Sequence, residues 1–229
     1  MTTTSSTPPN TRVLIIEDHL LIAESLEFAL VREGYDVRRL ELPEVGGSID
    51  TLRSAALRHN ARIALLDLDL GRFGDGMALI EPLARSGTNV VVVTASMDRG
   101  RWGACVRQGA RQVVSKAQPL RETLTTVRRL YQGLPVMTSA EREALLDTWR
   151  TGRMAGDDIR RRLELLTPRE KLILAGLMEG NTVREVARTW VVSEATVRTQ
   201  VKSILAKLEV SSQLAAVGLA HQVRWQHTP

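Results

Sequence analysis

The run Ile63-Ala-Leu-Leu66, which ends in Asp67-Leu-Asp69, decides the fold of the first half of the chain. Four consecutive apolar residues without polar alternation are typical of a strand buried on both faces, as in a parallel sheet covered by helices. Comparable apolar runs occur at residues 12–16, 35–40, 90–93 and 112–115, with amphipathic stretches between them. We therefore predict a doubly wound α/β domain with a five-stranded parallel sheet.

The second half of the chain has a different character. Beyond about residue 160 the sequence shows helical periodicity and no strand signal. Residues 138–150 also suit a helix, whereas the glycines of residues 151–158 favour a flexible connection. We predict a disordered tail at 1–10, the α/β domain at 11–132, a partly helical linker at 133–162 and an all-α domain at 163–224.

Composition excludes several classes of protein. Of the 229 residues, 43% are hydrophobic and only 3% aromatic, which disfavours an all-β sandwich. Cys105 is the single cysteine, so neither an intrachain disulfide nor a cysteine-based metal cluster can form. No apolar run approaches the roughly 18–20 residues that cross a bilayer, and the N-terminus lacks a signal-peptide pattern. We expect a cytoplasmic protein without a membrane partner.

The net positive charge of the chain comes from its second half. Residues 1–120 contain 14 basic and 14 acidic side chains, whereas residues 121–229 contain 17 and 12, which accounts for the net charge of +5. A basic half favours a polyanionic partner. A solvated basic surface would produce the same imbalance.

Polar side chains follow four of the predicted strands, and ligands of parallel α/β sheets bind at the carboxyl ends of the strands. These side chains are Glu17, Asp18, Asp67, Thr94 and Lys116. Neighbouring carboxylates repel one another unless a cation is bound, and their hard oxygen atoms suit Mg²⁺. A carboxylate can also attack phosphorus, while a lysine offsets the charge of the phosphoryl oxygens. Each residue alone is typical of a solvated turn or helix cap, but the set in strand order favours a phosphoryl-accepting site.

These residues lie in four segments that resemble the signature of response-regulator receiver domains, which have a flavodoxin-like fold. The segments are Ile15-Ile-Glu-Asp-His19, Leu65-Leu-Asp-Leu-Asp-Leu70, Val93-Thr-Ala-Ser96 and Val114-Ser-Lys116. The resemblance implies that Asp67 accepts the phosphoryl group, with Thr94 as switch residue and Lys116 as phosphate partner. It also implies that Glu17, Asp18 and Asp67 hold Mg²⁺ together with the backbone carbonyl of Asp69.

Three positions depart from the pattern of that family. Gly71 stands where a proline is usual, and Ala117 follows the lysine in place of the common cis-proline pair. Val113 occupies the place where many receivers carry a switching aromatic residue. The chemistry is expected to be intact, while the transmission of the signal differs.

Two capping boxes mark helices in the second half. Thr167 and Glu170 form the first, with Pro168 at the first helical position, and Thr182 and Glu185 form the second. After a tight turn, Ser193 caps a third helix with one apolar stripe. A short helix, a tight turn and a longer capped helix predict a helix-turn-helix.

The outward face of this third helix is polar and basic, and it carries Thr196, Arg198, Thr199, Gln200 and Lys202. Arginine and lysine side chains reach phosphates or guanine edges, and Thr199 and Gln200 can meet base edges. On a lone helix such residues would merely solubilise an exposed face. The two-helix spacing instead favours double-stranded DNA as the partner.

Residues 165–220 resemble the DNA-binding domain of LuxR/NarL-type regulators. The matching segments include Leu166-Thr-Pro-Arg-Glu170, Ser193-Glu-Ala-Thr-Val197 and Lys207-Leu208, although Gln200 replaces a frequent histidine and Trp190 a frequent leucine. The resemblance implies that the helix beginning near Ser193 enters the major groove and that the last helix contributes to dimerisation.

The sequence therefore predicts a transcriptional regulator, not an enzyme, that a cognate histidine kinase activates by phosphorylating Asp67. We expect Mg²⁺ as cofactor and a homodimer as the active form. An alternative is a phosphorylation-independent regulator whose receiver-like half is a dimerisation or ligand-sensing scaffold. Gly71 and Val113 leave that alternative open.

Two other classes of protein share part of this pattern. Asp67-Leu-Asp69 also resembles the opening motif of haloacid-dehalogenase-like phosphatases, but those enzymes usually place this strand first and add an acidic motif after the lysine. An RNA-binding antiterminator with a receiver domain would have a different three-helix output.

Overall fold

The structure is a computed structural model that describes residues 11–43 and 46–226. The disordered tail predicted at residues 1–10 lies outside the described residues. The chain divides into two units, Met1–Trp149 and Arg150–Pro229, each with its own core.

Five parallel strands form the sheet of the first unit, in the order β2-β1-β3-β4-β5. They are β1 (Arg12–Ile16), β2 (Asp36–Arg39), β3 (Ile63–Leu66), β4 (Asn89–Thr94) and β5 (Gln112–Ser115). The sequence order reverses direction at β1, so two helices must cover one face of the sheet and three the other. The predicted doubly wound sheet is confirmed.

Successive residues of the central strands face opposite layers. Leu14, Leu66 and Val92 pack with α2 (Ile49–Arg58), α3 (Ile80–Arg85) and α4 (Arg99–Arg107). Ile15, Leu65 and Val91 pack with α1 (Leu20–Arg32) and α5 (Leu120–Tyr131). Burial on both faces explains why these strands read as unbroken apolar runs. Cys105 of α4 is fully buried, and this burial raises the pKa of its thiol to about 12.

One long helix, α6 (Ser139–Glu164), follows the first five. The prediction of a flexible connection at 151–158 is wrong, because the helix continues through Gly152 and Gly156. A glycine inside a helix costs about 1 kcal/mol relative to alanine. Burial at the two ends opposes this cost: Leu145 packs in the first core, and Ile159 and Leu163 pack in the second.

Four shorter helices complete the second unit: α7 (Pro168–Met178), α8 (Val183–Thr189), α9 (Glu194–Leu208) and α10 (Gln213–Gln222). Both predicted capping boxes are present, at Thr167 and at Thr182. The stripe Val197, Ile204 and Leu208 of α9 is buried against α7 and α8, as its spacing predicted. Val191 forms the turn between α8 and α9 at φ +51°.

Within the described residues, no single helix is long and apolar enough to cross a bilayer. The bent pair α9 and α10, at 54°, reaches that length and composition only when the two are taken together.

Candidate functional site

The carboxyl ends of the strands bring the five predicted polar side chains to one edge of the sheet. Glu17 and Asp18 follow β1, Asp67 follows β3, Thr94 ends β4 and Lys116 follows β5. Backbone hydrogen bonds fix this register beyond the strands. The amide of Asp67 donates to the carbonyl of Ile16 (2.9 Å), and that of Lys116 donates to Thr94 (2.8 Å).

Lys116 joins the two buried carboxylates. Its Nζ lies 2.7 Å from Oδ2 of Asp67 and 2.8 Å from Oε1 of Glu17, and both acidic side chains are at most 3% exposed. Burial acts to lower the pKa of Lys116, but the hydrogen bonds to Asp67 and Glu17 outweigh it and leave that pKa raised. Burial and the charge of Asp67 raise the pKa of Glu17 despite its bond to Lys116. Two carboxylates therefore share one ammonium group.

The remaining acidic residues make the edge suitable for a cation. Ligand atoms of Glu17, Asp18, His19 and Asp67 lie within 4.8 Å of one another, and Asp18 is exposed. Asp69 follows in an exposed loop, where its carboxylate accepts a hydrogen bond from the amide of Gly71 (3.2 Å). Oxygen donors that carry net negative charge and face solvent fit Mg²⁺, which keeps several of its waters.

His19 is a member of the cluster that the sequence analysis did not single out. Its Nδ1 lies 2.9 Å from Oδ1 of Asp18 and 3.1 Å from Oε1 of Glu17. The charge of Asp18 and the hydrogen bond to Glu17 raise the pKa of the imidazole. Its position directly after an acidic pair was the signal available in the sequence.

A cavity of about 380 Å³ opens over Asp67. Its lining includes Thr94, Lys116, Asp69, His19, Ser96 and Arg101. The Thr94 hydroxyl is buried and accepts a hydrogen bond from the amide of Ser96 (3.1 Å). Arg101 pairs with Asp75 at 2.9 Å, so it brings a second cation to the wall of the cavity.

The loop after β3 explains one departure from the receiver pattern. Gly71 has φ +55°, which proline cannot adopt, so the usual proline is sterically excluded here. Arg72 donates from Nη2 to the carbonyl of Gly46 (3.0 Å), which ties this loop to its neighbour. A Cβ atom at Gly76 would overlap the carbonyl oxygen of Asp67, so glycine is required at that close approach.

A second contact network starts at Thr94 and ends on α6. The indole of Trp102 in α4 donates to the carbonyl of Ser96 (2.8 Å), the residue whose amide bonds Thr94. At the next residue, Gly103, a Cβ atom would overlap the carbonyl of Leu145, so α4 and α6 approach at backbone distance. Arg107 lies 4.7 Å from the ring of Trp149 and covers it.

The five residues predicted to meet DNA all lie on α9. Lys202 and Arg198 are exposed, although Arg198 pairs with Glu194 at 3.2 Å. The Thr199 hydroxyl donates to the carbonyl of its own helix at Ala195 (3.0 Å). The remaining two differ, because Thr196 joins the Ser193 cap with its hydroxyl (2.8 Å) and Gln200 is half-buried.

Ser203 of α9 donates a hydrogen bond to buried Glu170 of α7 (2.6 Å). Lys207 of α9 lies 2.7 Å from the same carboxylate, and the amide of Thr167 also donates to it (2.7 Å). Burial acts to raise the pKa of Glu170, but these hydrogen bonds outweigh it and lower the pKa to about 2. This carboxylate therefore locks α9 against α7 and fixes the direction of its polar face.

Two family models match the chain. The model described as the response regulator receiver domain matches residues 13–128, just over half of the chain. The model described as bacterial regulatory proteins of the luxR family matches residues 164–220.

Curated relatives align over almost their whole length. A putative transcriptional regulator of Pseudomonas aeruginosa is 27% identical over 214 residues, which cover 92% of this chain and 97% of that protein. The transcriptional regulatory protein LiaR of Bacillus subtilis is 26% identical with the same coverage. Among solved structures, the RcsB response regulator of Salmonella typhimurium has a TM-score of 0.52 at 20% identity and covers 93% of this chain and all of its own.

Proposed function

Because the chain belongs to the response regulators, with a receiver domain followed by a LuxR-type DNA-binding domain of transcriptional regulators, we propose that a histidine kinase controls it by phosphorylating Asp67. The observation that carries the proposal is the buried Asp67 carboxylate, 2.7 Å from the Lys116 ammonium at the floor of an open cavity.

The transfer is a displacement at phosphorus. An oxygen of Asp67 attacks the phosphorus of the phosphohistidine, a P–O bond forms, and the P–N bond breaks with its electron pair passing to the imidazole. Lys116 loses part of its contact with Glu17 and pairs with a phosphoryl oxygen, while the Thr94 hydroxyl donates to another. Glu17, Asp18, Asp67 and the backbone carbonyl of Asp69 would hold Mg²⁺, which would supply positive charge to offset that of the phosphoryl oxygens.

Trp102 is our candidate for the aromatic link that Val113 does not supply. When the Thr94 side chain turns toward the phosphoryl group, its hydroxyl oxygen no longer accepts the hydrogen bond from the amide of Ser96. Ser96 is also the residue whose carbonyl accepts a hydrogen bond from the indole of Trp102. Trp102 precedes Gly103, where α4 and α6 touch without room for a side chain. A small movement of α4 therefore changes the packing between α4 and α6.

In this proposal the regulator is a substrate of the kinase and not an enzyme, and it acts in the cytoplasm, where duplex DNA is available. Arg198 and Lys202 contact phosphates or guanine edges, with Thr196, Thr199 and Gln200 near base edges. A homodimer would place two α9 helices on half-sites about 34–36 Å apart.

Labelling with radioactive acetyl phosphate and Mg²⁺ tests the acceptor. We expect the wild-type chain to retain label, Asp67→Asn to lose it, and Asp69→Asn to keep it, because Asp69 acts through its backbone carbonyl. Sedimentation with beryllofluoride and Mg²⁺ should then show a shift from monomer to dimer in the wild type and no shift in Asp67→Asn. Label on Asp67→Asn would exclude Asp67 as the acceptor.

The alternative, a phosphorylation-independent regulator, is supported by one observation: the loop at Gly71 departs from the receiver pattern at φ +55°. A promoter reporter with Asp67→Ala distinguishes the two. The phosphorylation-independent regulator would be favoured if Asp67→Ala regulated the promoter as strongly as the wild type and the wild-type chain took up no label from acetyl phosphate.

A further inference from the structure

A second cavity lies in the first unit at the end of the sheet opposite to Asp67. It measures about 660 Å³ and is lined at the amino ends of the strands by Arg62, Asn89 and Arg111, which precede or begin β3, β4 and β5. The segment after α5 and Arg142 of α6 close the other side. Parallel strands separate this cavity from the acidic edge by the length of the sheet.

Three guanidinium groups line this cavity, and none of the described residues that line it is acidic. Arg62 donates to the carbonyl of Tyr131 (3.3 Å), and Arg111 donates to the amide oxygen of Asn89 (3.0 Å). Within the described part of the chain, the Arg142 side chain has no hydrogen bond or ion pair. All three side chains therefore keep their full positive charge without a carboxylate partner.

Several other arginines of the same unit pair with carboxylates. Arg12 and Arg38 both pair with Asp36, at 3.0 and 3.1 Å, and Arg128 pairs with Glu33 at 2.9 Å. Unpaired guanidinium groups that line one cavity repel one another, which is unfavourable unless an anion enters. This cavity brings three such groups together.

One wall of the cavity is apolar, and hydrogen bonds hold it in place. Leu130, Leu134, Pro135, Val136 and Met137 supply the apolar surface. Arg129 donates twice to the carbonyl of Pro135 (2.9 and 2.7 Å), and Gln112 donates to that of Val136 (2.9 Å). A pocket of this volume, with an apolar wall beside three cationic side chains, has the size of a small-molecule site.

We propose that this cavity binds a small organic polyphosphate of nucleoside diphosphate size. The fork of an arginine matches a phosphate with two parallel hydrogen bonds, and three such charges match the roughly three negative charges of a diphosphate. The apolar wall takes the ring system. Arg142 lies on α6, whereas Arg62 and Arg111 directly precede strands β3 and β5. A ligand bound to all three would therefore link the start of α6 to the sheet of the receiver domain. It would act as an input separate from Asp67.

Calorimetry on the full-length Asp67→Asn chain, with EDTA present, tests this separately from phosphotransfer and from the acidic edge. The probes are ADP and GDP, with adenosine and guanosine as ligands that lack phosphate. We expect a dissociation constant below about 100 µM for at least one diphosphate and no binding of either nucleoside. Arg62→Gln and Arg142→Gln should each weaken binding about 10- to 100-fold, because each removes a charge-assisted contact.

Arg121→Gln is the matched control, since it removes an exposed charge that pairs with Glu122 at the start of α5, the end of that helix away from Leu130 and the cavity. This variant should bind as the parent does. The proposal would be overturned by a dissociation constant above 100 µM for both diphosphates. It would also be overturned if Arg121→Gln weakened binding as much as the other variants, or if Arg62→Gln or Arg142→Gln left binding unchanged. Because all three arginines are exposed, the variants should fold, which circular dichroism checks.

Discussion

Glu17 and Glu170 are both buried carboxylates within 2.8 Å of a lysine ammonium, yet the two units treat their charge in opposite ways. Among the described residues, Glu170 is the only acid paired with Lys207, and it accepts further hydrogen bonds from Ser203 and Thr167, so its pKa falls to about 2. Glu17 shares Lys116 with Asp67, and burial together with the Asp67 charge leaves its pKa raised.

The difference is between a carboxylate that holds two helices together and one that keeps an unbalanced negative charge. In the second unit every negative charge at the site meets a donor, which holds α9 in one orientation. In the first unit the negative charge exceeds the positive charge, and this excess is what a divalent cation can neutralise. A buried acid–lysine pair alone therefore does not indicate the role of the carboxylate. The number of acidic side chains that share each lysine distinguishes the two pairs.

Acid should weaken the second unit most strongly. The pKa of Glu170 is about 2 in the folded chain against 4.5 in the unfolded one, so its contribution is present above pH 4.5 and is lost as the pH falls toward 2. We expect a loss of about 3 kcal/mol in the unfolding free energy between pH 6 and pH 2. Urea unfolding followed by NMR signals of α9 measures it. The same loss in Glu170→Gln would remove Glu170 as its source.

Glu170→Gln at neutral pH should destabilise the second unit by about 2 kcal/mol, because it leaves Lys207 without its counter-charge near a buried amide. The matched control is Glu185→Gln, in the exposed capping box of α8. Hydrogen exchange of α7 and α9 amides should show a smaller effect for the control. Equal effects would mean that the cap, and not the ion pair, locks α9.

Magnesium should act on the first unit alone. At a free concentration ten times its dissociation constant, Mg²⁺ should add about 1.4 kcal/mol to the stability of the sheet. Hydrogen exchange should slow in β1 and β3 and not in α9. Asp18→Asn should weaken this response, whereas Asp69→Asn should keep it. A response of α9 equal to that of β1 would break the distinction between the two units.

The smallest predicted effect is a gain at the α8–α9 turn. Val191 is β-branched, 90% exposed and left-handed, which strains its backbone. Asparagine adopts this conformation more readily, so Val191→Asn should stabilise the second unit by about 0.5–1 kcal/mol. Val191→Thr, which stays β-branched, should bring no gain in thermal unfolding. A lower melting temperature for Val191→Asn would show that the valine contributes more than its strain costs.

The sequence predicted the elements whose signals are local. Unbroken apolar runs located the strands, and the boxes at Thr167 and Thr182 located the starts of α7 and α8. The glycines of α6 led to the wrong prediction of a flexible connection, because the low helix propensity of glycine is a local property. The helix instead depends on Leu145 and Leu163, each buried in a different core.

At the acidic edge of the sheet, the order of the strands was enough to predict that Asp67, Thr94 and Lys116 lie close together. It was not enough to find what depends on tertiary approach: the Ser203 bond to Glu170 spans 33 residues, and the overlap at Gly103 is with α6. The arginines around the second cavity are scattered along the chain, so no motif marks them.

Buried Cys105 makes the chain convenient for site-directed spectroscopy. With a thiol pKa of about 12, roughly one molecule in ten thousand carries a thiolate at pH 8, so maleimides should leave Cys105 unmodified while the fold is intact. A cysteine introduced in place of exposed Arg142 or Lys202 can therefore be tagged without first removing the native one. Fluorophores at those two positions would report separately on the start of α6 and on the outer face of α9.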